Sequence, residues 1–252
     1  MKELVKDTLT GGITAVGGIT AVGGITTEQI ATIAVSIAAP AISSTMVDFA
    51  SRALSKWQSS RLKIGCNLIA QKINEYLLLG KTIRTDGDMS AIKGEQAQQV
   101  LEGILQNIAD EYEKKKLEAH ANFFTNLCFD ERILFEQALY LTRVIKQLSY
   151  RQFILIAISH NSSLKAGGWQ FKFKNSQNSV LKNYADLFGE IQSLEQMKII
   201  EDTSQGFALG GSSAPFRLSL LGQTIYEELD LESISEEDKR LVEQMISEVN
   251  KA

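Results

Sequence analysis

The chain has 252 residues, 44% of them hydrophobic and 22% charged, with a formal net charge of −4. That composition excludes wholesale disorder, and the negative balance excludes a global attraction to nucleic acid, so any such attraction has to be local. Two cysteines, Cys66 and Cys128, make no disulfide framework; they read as small buried hydrophobes in a reducing cytoplasm.

The N-terminal Met-Lys-Glu-Leu-Val-Lys-Asp mixes acids with bases, unlike a secretory signal. Residues 1–47 form a Gly/Ala-rich apolar segment, with Glu28 its one charge from Thr8 to Val47. Gly-Gly-Ile-Thr-Ala-Val stands at 11–16 and again at 17–22, and Gly-Gly-Ile-Thr follows at 23–26. Each Gly costs about 1 kcal/mol against Ala in a helix, so the repeats read as a flexible arm or as a segment ordered by lipid or a partner. Gln29 to Val47 is charge-free but rich in Ala, Ser and Thr, and Pro40 would kink it. It matches a spanning helix in length and falls short in hydrophobicity, which favours a buried hairpin or conditional insertion through Ile30, Ile33, Ile37 and Ile42.

Residues 48–147 read as a helical domain, since only Pro40 and Pro215 occur in the whole chain. Leu62, Cys66, Ile69, Ile73, Tyr76 and Leu77 recur at helical spacing, and Gly80 serves as a C-cap. The loop at 81–88 carries Arg84, Asp86 and Asp88, a weak candidate for holding a metal or anion, with no calcium-loop spacing. The pattern then predicts one helix from Ala91 to Phe129, with a solvated charged middle containing an i,i+4 pair, Glu111–Lys115. His120 and His160 stand apart, without ligand spacing for zinc or an obvious nucleophile to serve.

From Gln137 to Ala185 there is no Asp or Glu. Arg143, Lys146, Arg151, Lys165, Lys172, Lys174 and Lys182 are interleaved there with aromatics that include Trp169. Alternation along the strand after Gly167-Gly168 puts Phe171 and Phe173 on one face, Lys172 and Lys174 on the other. Such a patch attracts phosphate, on nucleic acid or on anionic lipid.

Residues 148–232 follow a winged-helix-like order. A helix near 149–159 precedes the strand at 169–173 and a helix from Ser179 to Lys198; strands at 199–202 and 207–209 lead to Leu220-Leu-Gly and a further helix. The helix that would enter a major groove carries Asp186, Glu190 and Glu195, poorly suited to phosphate. Residues 233–252 form an acidic C-terminal helix capped by Ser235, which could neutralise the basic patch. The fold class expected is therefore mainly α, with a small winged-helix-like α/β C-terminal module.

Several stretches taken together resemble bacterial abortive-infection proteins of the Abi-alpha kind, over roughly residues 30–230. They are Ile73-Asn-Glu-Tyr, Gly80-Lys-Thr-Ile-Arg84, Tyr112-Glu-Lys-Lys-Lys-Leu, Asn122-Phe-Phe-Thr-Asn-Leu, Leu148-Ser-Tyr-Arg-Gln and Leu220-Leu-Gly-x-x-x-Tyr226. The resemblance implies a cytoplasmic role in phage defence and carries over no catalytic residue. The expectation is a non-enzymatic effector without cofactor or metal that attaches reversibly to the inner membrane and perturbs it when a protein partner triggers it. Its basic residues would meet anionic phospholipid, and it could self-associate. The alternatives are an adaptor subunit of a defence complex and a winged-helix nucleic-acid-binding protein.

Overall fold

The computed structural model describes residues 32–33, 36, 40–52, 54–86, 95–163, 169–172, 184–202 and 213–251. These are mainly helical, and the first helices form a bundle. Helix α1 (Pro40–Ala50) begins at its proline, where a missing N–H costs no hydrogen bond. Pro40 thus starts a helix rather than kinking one. Helix α2 (Lys56–Leu78) opens on a capping box: the Ser55 hydroxyl accepts the Gln58 N–H, and the Gln58 side chain accepts the Ser55 N–H. It closes ahead of Gly80, whose φ of 79° suits a residue without a Cβ. Leu62, Cys66, Ile69 and Ile73 are buried on one stripe of α2. Gly65 lets Ile108 of the next helix approach so closely that a Cβ there would lie 2.5 Å from it.

The single helix expected from Ala91 to Phe129 is two helices, α3 (Glu95–Asp110) and α4 (Lys116–Phe129). The break needs neither Gly nor Pro. The Glu111 carboxylate turns inward and accepts the Glu113 N–H, forming a turn where the helix would have continued. Helices α5 (Phe135–Gln147) and α6 (Tyr150–Ser163) follow, and α5 packs on α3.

Helix α6 is buried at every position from 152 to 159 and is the axis on which the C-terminal elements assemble. Strand β1 (Trp169–Lys172), helix α7 (Ala185–Gln196), β2 (Ile200–Asp202) and β3 (Ser213–Leu218) make a three-stranded antiparallel sheet in the order β1-β3-β2. Trp169 pairs with Phe216, and Ile200 with Leu218. The strand expected at 207–209 and the start of the helix expected from Ser179 lie outside the described residues, and α7 ends at Gln196. Helix α8 (Leu220–Glu228), a 3-10 turn (Leu231–Ser233) and α9 (Glu236–Lys251) complete the chain.

The Leu220-Leu-Gly stretch has a physical reason. Ser219 caps α8 by accepting the Gly222 N–H, and its hydroxyl donates to the Lys198 carbonyl. A Cβ on Gly222 would lie 2.1 Å from the Ile199 carbonyl oxygen, so only glycine lets α8 pass over the start of β2. Tyr226, one turn later, stacks on His160 of α6 at 3.8 Å between ring centroids.

Candidate functional site

The seam between the bundle and the C-terminal helices holds a cleft of about 260 Å³. One wall is α4, with Glu118, Ala119 and Asn122; the other is the turn from Leu229 to Ser235 and the start of α9. Tyr150 and Phe153 of α6 lie between the walls. Asp238 is the polar centre. Its carboxylate accepts from Lys115 Nζ at 2.6 and 2.9 Å, from the Tyr150 hydroxyl at 3.0 Å and from the Ser235 hydroxyl at 2.9 Å. The Lys115 ammonium holds the Asp238 carboxyl below its ordinary range. Burial, and then Asp238, push the Tyr150 phenol up, so it stays a proton donor. The Lys115 amine also stands over the Tyr150 ring, 5.3 Å from its centroid.

The far end of the cleft is fixed by Asp230, a non-glycine residue at φ 53°. Lys72 of α2 reaches its carboxylate at 2.7 Å and the Asn122 amide oxygen at 2.6 Å. The Asn122 and Asn126 side chains of α4 donate to the carbonyls of Leu229 and Glu228, so α4 grips the end of α8 through its backbone. Lys115 pairs with Asp238 and Lys72 with Asp230, so Glu118 is the one carboxylate in excess at the opening, which suits a partner bearing positive charge.

The charged run at 111–118 is not the solvated face its composition suggests. Glu111 and Lys116 are 6% and 3% exposed, and His120 is 1% exposed. Lys116 Nζ lies 2.6 Å from the Glu111 carboxylate and His120 Nε2 3.2 Å from it. Burial by itself would raise the Glu111 carboxyl. The hydrogen bonds from His120, Lys116 and the Glu113 N–H outweigh it and hold the carboxyl at about 2. Burial pushes His120 down, toward the neutral imidazole. The expected Glu111–Lys115 pair does not form, because Lys115 points to Asp238.

Arg84 and Asp86 of the 81–88 loop serve the fold. Arg84 is 2% exposed, grips Asp86 through Nε and Nη2 at 2.7 and 2.6 Å, and donates to the carbonyls of Asp130 and Ile133. Asp88 lies outside the described residues. Burial pushes both cysteine thiols up to about 12, which leaves them inert. Among the described residues no group of three or more His, Cys, Asp or Glu side chains is placed to hold a metal.

The described residues expected to meet lipid lie on three elements. Arg143 and Lys146 are exposed on α5, where Lys146 faces Asp110 at 3.8 Å. Arg151 is held by Asp186, at 2.5 Å, and by Glu190, both on α7. Two of the three acids of α7, Asp186 and Glu190, are thereby engaged within the chain. Trp169 and Lys172 are residues of β1; Lys165, Lys174 and Lys182 lie outside the described residues. Of the four isoleucines, Ile42 is 1% exposed in the core and Ile33 packs against it half-buried, while Ile30 and Ile37 are not described. No helix among the described residues is long and apolar enough to cross a membrane.

Sequence reading missed the cleft. Lys115, Asn122, Tyr150, Asp230 and Asp238 come from four separate elements, and no local spacing announces their convergence. No family model, curated protein or solved structure matches the chain.

Proposed function

We propose that the chain is a non-catalytic interaction subunit whose seam cleft, centred on Asp238, receives a basic segment of a partner protein. The observation that supports this most is where the charges stand. Arg151, in the acid-free run, is held by Asp186 and Glu190 of α7, while the cleft has three carboxylates at its opening against the two amines, Lys115 and Lys72, that pair with Asp238 and Asp230. The sheet order β1-β3-β2 is compatible with a winged-helix-like unit, and an α7 that carries three acids against one arginine fits protein contact better than a DNA groove. The likeness to abortive-infection proteins supports a setting in phage defence. A photo-crosslinker at position 118, on the cleft rim, tests the reading in cells of the native host. A defined adduct that vanishes with Asp238→Ala, and is not formed from position 243 on the outer face of α9, is the expected result. Equal labelling from both positions would end the proposal.

A second reading keeps one observation of its own. Tyr140, Arg143 and Lys146 are all exposed on α5, an aromatic and basic stripe suited to peripheral contact with anionic phospholipid. Co-sedimentation with anionic but not neutral vesicles, weakened by the double change Arg143→Glu and Lys146→Glu, supports it. Equal binding by that variant and the wild type removes it.

A further inference from the structure

Lys115 already sits in the cleft where a partner's cation would sit. Its ammonium spans both oxygens of Asp238, at 2.6 and 2.9 Å, and stands 5.3 Å from the centroid of the Tyr150 ring. The two members of this pair are held very differently. The Asp238 side chain is 16% exposed, and the Tyr150 and Ser235 hydroxyls both donate to its Oδ2, at 3.0 and 2.9 Å. The Ser235 hydroxyl also accepts the Asp238 N–H, which fixes the carboxylate to the first turn of α9. The Lys115 side chain is 61% exposed and reaches across from the N-cap position of α4, with no capping bond of its own. Departure of Lys115 therefore leaves the carboxylate in place, with Oδ1 stripped of its one donor among the described residues. We propose that this seat reads arginine: the guanidinium of a partner's arginine displaces Lys115 from Asp238 and lies against the Tyr150 ring, so that Lys115 is a built-in competitor for the cleft. The seat presupposes that the cleft receives a basic segment, and it specifies the side chain received.

Arginine fits where a second lysine gains nothing. An incoming ammonium would make the contacts that Lys115 already makes, and would have to be immobilised to make them. A guanidinium offers two N–H groups side by side, matched to the two carboxylate oxygens, and a flat face that stacks on an aromatic ring. Displacing Lys115 costs little, because an ion pair with an exposed partner contributes little. Its ammonium also has a second carboxylate to go to. Glu118, on the same wall of the cleft, stands three residues on, a spacing at which helical side chains meet. With Lys115 on Glu118, Lys72 on Asp230 and the arginine on Asp238, every carboxylate at the opening has a cation. The cleft, about 260 Å³, is smaller than the usual pocket for a small molecule and admits one long side chain, with Phe153 offering apolar surface to its aliphatic stem.

Two blocked pentapeptides, alanine but for a central arginine or a central lysine, test the seat on the whole chain at fixed ionic strength. Backbone NMR of residues 115–122 and 229–238 follows binding. The arginine peptide is expected to bind roughly fivefold tighter than the lysine peptide. Lys115→Met empties the seat and tightens the arginine peptide by a further factor of roughly five, whereas Lys115→Arg fills the seat with a guanidinium and weakens that peptide at unchanged charge. Position 115 is exposed, so neither change threatens the fold. Equal affinity of the two peptides for the wild type, or no shift of the cleft resonances with either, overturns the seat. So does an equal gain for both peptides in Lys115→Met, which is a general effect of charge, or indifference of the arginine peptide to Lys115→Arg. No partner protein enters the test: its failure strikes the arginine seat and leaves the crosslink from position 118 to decide the wider reading.

Discussion

Gly222 and Gly189 look alike in the sequence, each a glycine inside a helix, and the structure separates them. At Gly222 a Cβ would meet the Ile199 carbonyl at 2.1 Å; at Gly189 nothing lies within 4 Å. Gly222→Ala therefore forces α8 off β2 and costs about 3 kcal/mol or more, since backbone cannot yield as a side-chain tip can. Gly189→Ala adds about 0.5 to 1 kcal/mol of stability through helix propensity alone. Urea unfolding of the two variants gives the sign of each, and a harmless Gly222→Ala would remove the close crossing. At this scale the buried ions were the least legible feature. Glu111 and Lys116 stand in a run that composition marks as solvent-facing; Lys116 and His120 are one turn apart on α4, and it is the turn before that helix that folds Glu111 back between them. Because the Glu111 carboxyl is held near 2 against an ordinary 4.5, its contribution is complete above about 4.5 and is lost as pH falls toward 2. Glu111→Gln leaves Lys116 buried without its counter-charge and lowers stability by about 3 to 5 kcal/mol at pH 7. It also flattens the acid limb of the stability curve between those values. An acid limb unchanged in the variant would show that the carboxylate is not held by these partners.

Element by element, the helices with one apolar stripe were the easiest to read. The α2 stripe of Leu62, Cys66, Ile69 and Ile73 is buried as its spacing requires, and Gly80 stands just past the helix end. The break between α3 and α4 was not legible, because its cause is a side chain folding back to a backbone N–H two residues on, with no turn residue to mark it. Helix α1 shows the other limit. Weak hydrophobicity and a proline do not say whether a segment meets lipid or protein, and Ile42, Met46 and Phe49 settle into the bundle core against α3 and α2. Ile42→Ala then removes a fully buried side chain and costs about 2 to 5 kcal/mol. Thermal unfolding of the purified chain without vesicles tests this. A residue kept for lipid would leave the unfolding midpoint where it was.

At the scale of the molecule, α6 decides how the parts hold together. Its residues 152 to 159 are buried in succession, on every side of the helix, and a helix apolar all round belongs in the middle of a fold. The sequence showed that helix but not its neighbours. The β3 strand, α7, α8 and α9 pack on it, and Lys116 of α4 stands over its Phe153 ring at 5.8 Å. One contiguous cluster of buried apolar side chains runs from Ile42 of α1 to Val249 of α9. Bundle and C-terminal elements thus share a core, and neither can lose its packing without exposing surface of the other. Unfolding at pH 7 should therefore be one cooperative transition. The two thiols report it from inside. Cys66 on α2 and Cys128 on α4 are buried, with their thiols pushed up to about 12, so a thiol reagent reaches them only when the structure opens. Far-ultraviolet dichroism and the labelling of each cysteine should share a single urea midpoint. Labelling of Cys128 at a clearly lower urea concentration than loss of helix would mean that the seam opens first and that the two halves fold as separate units.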